Sequence, residues 1–156
     1  GLPPIAFPHT SSVTSTEIME TEAPILMLHK EFLPDSAGAG RSRGGIGQVI
    51  TFRNIADEPI TARIRPDKMF CEPPGINGGR PGRVGEVRFN GEIITRFPPL
   101  EFKPGDEIEM RMPGGAGFGP VGKRTRERIL HDLRMGYITA AGAAADYGIE
   151  FDDEAS

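Results

Sequence analysis

The sequence lacks the residues on which several common architectures and chemistries depend. Among its 156 residues there is one cysteine, Cys71, and no tryptophan, and aromatic residues make up 7% of the chain. A single cysteine excludes an internal disulfide and a cysteine-rich zinc site, and the cytoplasm is the simplest compartment for such a chain. No apolar run approaches the roughly 20 residues that a membrane-spanning helix needs. These absences predict a cytoplasmic protein without a membrane span.

A large excess of charge of one sign is also lacking. The 22 acidic and 18 basic residues are mixed along the chain and give a formal net charge of −4, so nothing favours a nucleic acid or an anionic membrane surface as a partner. The sequence begins at Gly1 without a methionine, and it shows neither the basic nor the apolar region of a signal peptide. We expect an interior segment of a longer chain or a trimmed product.

Glycine and proline, by contrast, are abundant. The 21 glycines and 15 prolines lie between short runs of β-branched and aromatic residues, and turns between many strands explain this pattern better than disorder does. The sequence predicts a mainly β domain, sandwich- or barrel-like, with a C-terminal helical hairpin. Its predicted parts are an irregular lead-in at 1–16, the β domain at 17–120, the hairpin at 121–150 packed on it, and a tail at 151–156.

Alternation of apolar and polar residues places the main strands. It predicts a strand within 17–32, and two more at 47–54 and 60–65 that form a hairpin with each other. Asn90 and Gly91 are the preferred residues of a tight hairpin turn, here between 87–89 and 93–94.

Helical periodicity begins only after the last glycine-rich run. Residues 126–135 and 139–147 fit two short helices, with Thr125 and Thr139 as N-cap candidates and Gly136 and Gly148 after their ends.

The run at 112–120, Met-Pro-Gly-Gly-Ala-Gly-Phe-Gly-Pro, is the most informative stretch because it follows a strand predicted at 107–112 and precedes the first predicted helix. A phosphate-binding loop in that position needs Lys and Ser or Thr directly after its glycines, and Lys123 comes too late. The glycine spacing also differs from that of a dinucleotide fingerprint. We interpret the run first as a structural turn and second as a ligand-facing loop, whose candidate residues are Gly114, Gly115 and Gly117.

Arginines in two other glycine-rich loops are further candidates. Asp35, Arg41 and Arg43 belong to the loop that ends near residue 45, and Arg80 belongs to the loop at 72–85. Guanidinium groups suit the recognition of carboxylates and phosphates. The same groups can instead fix the loops to backbone carbonyls or to another subunit, and we favour this structural or interface use.

Residues typical of catalysis or metal binding are scattered. His9, His29 and His131 share no metal-ligand spacing, and the three glutamates within 17–22 are interpreted as a solvated strand edge. Cys71 is expected to be buried, since nothing indicates a base beside it. We predict no catalytic residue and no metal site.

Several of these runs, taken in order, resemble the C-terminal region of the hydantoinase B family. This family includes the B subunits of ATP-dependent N-methylhydantoinases, the C-terminal half of 5-oxoprolinases, and subunits of acetone and acetophenone carboxylases. The matching runs are 17–24, 33–45, 73–82, 100–106, 112–119, 130–136 and 146–148. Their order and spacing agree from about residue 14 to residue 149.

The resemblance implies a cytoplasmic, ATP-dependent enzyme system that activates an amide, lactam or ketone carbonyl by phosphorylation before hydrolysis or carboxylation. It implies as partners the remainder of a B-type subunit, an A-type subunit that binds ATP, and a small-molecule substrate of the assembly. The family's metal-binding His and Asp residues belong to an N-terminal part without a counterpart here. We therefore expect ATP and a divalent metal in the whole enzyme, and no cofactor in this region. Where the family often continues Gly-Asp-Pro, this chain has Gly119-Pro120-Val121, so no role of that acidic residue is carried over.

The combined prediction is a C-terminal structural or assembly domain of a hydantoinase B-type subunit that is not catalytic alone. The alternatives are a complete small enzyme that uses its own loop residues, an independent subunit-interaction module, and a small anion-binding domain built on Arg41, Arg43 and Arg80.

Overall fold

The computed structural model describes residues 15–66 and 69–150. Residues 1–14 of the predicted lead-in, which include His9, and the predicted tail at 151–156 lie outside that range. The elements are α1 (Thr16–Glu22), β1 (Ile25–Leu33), β2 (Gly47–Asn54), β3 (Ile60–Ala62), β4 (Glu86–Phe89), β5 (Glu92–Ile93), β6 (Leu100–Phe102), β7 (Glu107–Arg111), a 3₁₀ helix (Val121–Lys123), α2 (Arg126–Arg134) and α3 (Ala140–Tyr147). The predicted class, mainly β with two helices near the C-terminus, is confirmed.

A five-stranded antiparallel sheet in the order β1-β2-β7-β4-β5 is the largest element. Its register sets Thr51 opposite His29 on one side and Glu109 on the other. Because side chains alternate across each strand, Val87 and Ile108 point to the same face, where they are buried. The buried core on this face consists of Met69, Val87, Phe102 and Ile108.

The predicted hairpin between 47–54 and 60–65 is wrong. β3 pairs with β6 in a separate two-stranded sheet, where Ile60 lies opposite Phe102. The buried side chain of Asn54 explains the change of sheet, because its amide donates to the Phe102 carbonyl at 2.6 Å and its oxygen accepts from the Ala56 N–H at 2.8 Å. The chain is thereby turned out of the main sheet after β2.

The predicted strand at 17–32 is also wrong over its first third, which forms α1. The Ser15 hydroxyl accepts from the Ile18 N–H at 3.4 Å and caps the helix, and Pro24 follows its end. No residue of α1 is buried, so this helix depends on its cap and not on an apolar face. The Glu20 carboxylate accepts from the Met27 N–H at 2.8 Å and ties α1 to β1.

The turn and one of the two helix caps that local sequence predicts are confirmed. Asn90 and Gly91 both have positive φ, 50° and 85°, as the predicted hairpin turn between β4 and β5 requires. Thr139 caps α3 by accepting from the Gly142 N–H at 2.9 Å, whereas Thr125 precedes α2 without a capping hydrogen bond from its side chain.

The two C-terminal helices pack on each other through a second small core, formed by Ile129, Ile138 and Ala143. Within residues 15–66 and 69–150, no helix combines the length and the hydropathy needed to cross a bilayer.

Candidate functional site

Three glycine-rich loops meet beside the main sheet. We call residues 34–46 the first glycine loop, 72–85 the second and 112–120 the third. The Gly38 N–H donates to the Gly115 carbonyl at 2.8 Å, the Arg80 N–H to the Ala39 carbonyl at 2.7 Å, and the Gly117 N–H to the Arg80 carbonyl at 2.9 Å. Each loop thus bonds to both others, and together they form what we call the glycine-loop cluster.

Glycine is needed in this cluster because the backbones touch. A methyl group added at Gly44 would overlap the Gly115 carbonyl, one at Gly79 would overlap the Gly117 carbonyl, and one at Gly117 would overlap the Ala39 carbonyl. In each case the obstacle is main chain held by hydrogen bonds, which cannot swing aside as a side chain can.

Several backbone N–H groups of the third glycine loop already donate to carbonyls of the other two loops. The N–H groups of Gly115, Gly117 and Gly119 donate to the carbonyls of Gly45, Arg80 and Ile76 at 2.8 to 2.9 Å. A phosphate cradle needs N–H groups that point at the ligand, and these three donate to protein carbonyls instead. Gly114 packs against the Ser36 backbone in the same cluster. A ligand contact of Gly114, Gly115 or Gly117 stays a prediction.

A buried group of three charged side chains joins the first glycine loop to α2. Arg43 donates through Nε to Asp132 Oδ2 at 3.2 Å and through Nη2 to Asp132 Oδ1 at 3.4 Å. Arg124 donates through Nη2 to Asp132 Oδ2 at 2.5 Å. The side chains of Arg43, Arg124 and Asp132 are 6%, 7% and 3% exposed, respectively. Two buried guanidinium groups therefore share one buried carboxylate.

Two tyrosine rings lie against the arginines of this charged group. The Arg43 guanidinium lies 5.2 Å from the ring centre of Tyr137, and that of Arg124 lies 5.9 Å from the ring centre of Tyr147. Burial raises the pKa of the Tyr147 phenol, and the positive charge of Arg124 offsets part of this rise. Within the described residues, the buried Tyr147 hydroxyl and the buried Nε of Arg124 have no hydrogen-bond partner.

A cleft of about 680 Å³ opens beside the same charges. Four of its lining residues come from α2, where a spacing of three or four residues places side chains on one face. The lining residues are Ser42, Arg43, Arg124, Glu127, Arg128, His131, Asp132 and Tyr137.

The candidates predicted from the sequence have different partners. The Asp35 carboxylate accepts from the N–H and the hydroxyl of Thr139, at 2.9 and 2.7 Å, at the start of α3. Arg80 donates to the Asp146 carboxylate at 3.1 Å near the end of α3, and Arg41 lies 5.7 Å from the ring centre of Phe118. Of the four charged candidates, Arg43 alone lines the cleft.

Sequence reasoning missed Arg124, Asp132 and Tyr137. Asp132 lies 89 residues from Arg43, and no local pattern pairs residues at that distance. One signal was available: Asp132 follows Ile129 by three residues and precedes Leu133, so it lies on the apolar face of α2. An aspartate in that position implies a buried cation as its partner.

The other candidates from the sequence are placed as follows. Cys71 is exposed, so its expected burial is wrong. His29 is exposed and lies 3.1 Å from the Glu31 carboxylate, while His131 lines the cleft. Across residues 15–66 and 69–150, no three His, Cys, Asp or Glu side chains are grouped to hold a metal ion.

Comparison with known sequences gives a consistent result. The family model described as hydantoinase B/oxoprolinase matches residues 5–121. An uncharacterized protein of Methanocaldococcus jannaschii is 33% identical over 141 residues, which are 88% of this chain and 25% of that protein. The caprolactamase subunit beta of Pseudomonas jessenii is 27% identical over 150 residues, 87% of this chain and 25% of that subunit. This chain thus spans about a quarter of the length of these relatives.

Two solved structures have the same fold. The ATP-dependent caprolactamase from Pseudomonas jessenii superposes with a TM-score of 0.68 at 22% identity, over 89% of this chain and 25% of that one. A nucleotide-free acetone carboxylase superposes with a TM-score of 0.65 at 19% identity, over 88% of this chain and 23% of that one. The resemblance seen in the sequence is confirmed, and these structures extend it to the fold.

Proposed function

Because the chain belongs to the hydantoinase B/oxoprolinase family, we propose that it is the C-terminal structural and assembly domain of a B-type subunit in an ATP-dependent cyclic-amide hydrolase or ketone carboxylase. The observation that carries the proposal is the family match together with a span of about a quarter of the relatives' length. In this proposal the assembly is cytoplasmic. The remainder of the B-type subunit and an A-type subunit supply the reacting groups, ATP and a divalent metal.

The glycine-loop cluster supports a structural role. Its N–H groups donate to carbonyls of neighbouring loops, and Arg43 and Arg80 hold the loops to the two C-terminal helices. A surface that is already fixed loses little conformational entropy when a partner binds. The loops therefore suit contact with another folded part more than closure over a substrate.

A small apolar patch on the cluster is our candidate for that contact. Ile76 of the second glycine loop and Phe118 of the third are bridged to each other, and they are 56% and 41% exposed. Large apolar side chains exposed side by side are typical of interaction surfaces. We assign the patch to the remainder of the B-type subunit, because the relatives carry about three quarters of their length outside the matched region.

Reconstitution tests the proposal. The chain is produced alone, with the remaining B-type sequence, and with that sequence plus the A-type subunit, and ATP-dependent turnover of cyclic amides and ketones is measured. We expect turnover only from the full assembly. Turnover by the chain alone would instead identify a complete small enzyme, and a stable complex with the A-type subunit in the absence of the B-type remainder would identify an independent interaction module.

A substitution in the patch sharpens the test. Phe118→Asp is expected to weaken association with the B-type remainder at least about tenfold, because it buries a charge in an apolar contact. Ile93→Asp is the matched control, since Ile93 is 58% exposed on the β4–β5 hairpin. Equal association of the two variants, measured by analytical ultracentrifugation, would refute the assignment of the patch.

A further inference from the structure

The cleft beside α2 carries more positive than negative charge. In the described part of the chain, three arginines line it, Arg43, Arg124 and Arg128, against two carboxylates, Glu127 and Asp132. Charges grouped at the wall of a concave surface attract ions of the opposite sign more strongly than charges on a flat surface do.

The buried part of the cleft is the source of this imbalance. Arg43 and Arg124 are both more than nine-tenths buried and share the single carboxylate of Asp132. The Nε of Arg124 is a buried donor without an acceptor among the described residues. A buried cation without a full counter-charge is costly, and an anion in the cleft would supply the missing counter-charge.

The mouth of the cleft has the donors to hold such an anion. Ser42, Arg128 and His131 line it and are exposed, and hydroxyl, guanidinium and imidazole groups can all donate to an oxyanion. With Glu127 at the same wall, the formal charge of the lining groups within residues 15–66 and 69–150 is one positive unit when His131 is neutral. That balance suits a single carboxylate or phosphate group and not a polyanion.

We propose that this cleft is a binding site for a small oxyanion, a carboxylate or a phosphate group, held by Ser42, Arg128 and His131 in the field of the buried Arg43 and Arg124. It differs from the set Arg41, Arg43 and Arg80, whose members have separate partners. The site does not rest on the proposed assembly role. Anion binding and reconstituted turnover are measured separately, so either one can fail without the other.

The test is a titration of the purified chain with sodium phosphate and, separately, with sodium acetate. Sodium chloride keeps the ionic strength constant, and NMR follows the backbone amides. We expect saturable shifts confined to residues 42–43 and 124–132 with at least one of the two anions, and the anion that saturates identifies the ligand group. Shifts that do not saturate, or that are spread evenly over the basic surface, would overturn the proposal.

Three variants make the test specific. Arg128→Ala is expected to weaken binding roughly tenfold, the loss of one charged hydrogen bond, and Glu127→Gln is expected to strengthen it about twofold by removing a repulsive charge at the surface. Arg134→Ala is the control, because Arg134 is exposed on the same helix and does not line the cleft. Wild-type affinity in Arg128→Ala, or the same loss in Arg134→Ala, would contradict the site.

Discussion

The sheet and the glycine-loop cluster are packed in opposite ways. In the sheet, apolar side chains such as Val87 and Ile108 fill the space between strands and the loops that cover them. In the cluster, backbone lies directly against backbone, and Ala37 and Ala39 are the largest apolar side chains buried within its described loops. A side-chain core can repack around a small change, whereas backbone carbonyls fixed by hydrogen bonds cannot. The cluster should therefore tolerate far less change in volume than the sheet.

The largest expected effect concerns the buried ion pairs that join the cluster to α2. Asp132→Asn removes the carboxylate that neutralises the buried Arg43 and Arg124, so we expect a loss of about 3–5 kcal/mol in the free energy of unfolding. Glu107→Gln is the control, because the Arg53–Glu107 pair is 43% and 39% exposed and should cost less than about 1 kcal/mol. Urea denaturation measures both. Similar losses in the two variants would mean that burial does not distinguish these ion pairs.

A single added methyl group tests the cluster itself. Gly117→Ala places a methyl group against the Ala39 carbonyl, and we expect it to destabilise the chain by about 3 kcal/mol, the upper part of the range for overpacking. Gly122→Ala is the matched variant, since no atom of the described residues lies within 4 Å of its added methyl group and its φ is not positive. That variant should leave stability unchanged or raise it by up to about 1 kcal/mol. Equal stability of the two alanine variants would contradict backbone-to-backbone packing.

A single methyl group removed from the sheet core is expected to matter less. Ile108→Val shortens a 5% exposed side chain of β7 and should cost about 1 kcal/mol. The comparison between the two regions fails if this loss equals or exceeds that of Gly117→Ala in the same denaturation experiment.

The smallest effect is expected at Tyr147. Its buried hydroxyl has no partner in the described part of the chain, so Tyr147→Phe should be neutral or slightly stabilising, by less than about 1 kcal/mol. Burial raises the pKa of this phenol above its usual 10.0, so the folded protein keeps the proton to higher pH than the unfolded chain does. The wild type should therefore lose stability as the pH rises through about 10, and the phenylalanine variant should lose less. A clear loss of stability in the variant at pH 7 would show that the hydroxyl has a bonding role.

The features that could be predicted from the sequence depend on neighbouring residues. Asn90-Gly91 specifies its turn, and Thr139 specifies its cap, because the atoms involved lie within three residues of each other. The start of α1 was missed although its cap is equally local. A short polar segment with alternating residues fits a strand as well as a helix, and the hydrogen bond that the Ser15 hydroxyl accepts from the Ile18 N–H favours the helix.

The features that could not be predicted depend on contacts between distant residues. β3 leaves its expected partner because the Asn54 side chain bonds the Phe102 carbonyl, 48 residues away, and Arg43 meets Asp132 across 89 residues. The glycines were recognised as functional or structural positions, but a glycine in a sequence does not specify which backbone will approach it. The cleft could not be predicted for the same reason, since its lining residues come from the first glycine loop, from α2 and from the segments on either side of α2.

The central claim is that the glycine-loop cluster is a fixed part of the fold and not a mobile ligand loop, and native-state hydrogen exchange tests it most directly. The amides of Gly38, Arg80, Gly115 and Gly117 donate to backbone carbonyls. We predict that they exchange as slowly as the amides of β2 and β7, with opening free energies near that of global unfolding. Exchange at the rate of an unprotected loop for these four amides, while β2 and β7 stay protected, would contradict the account.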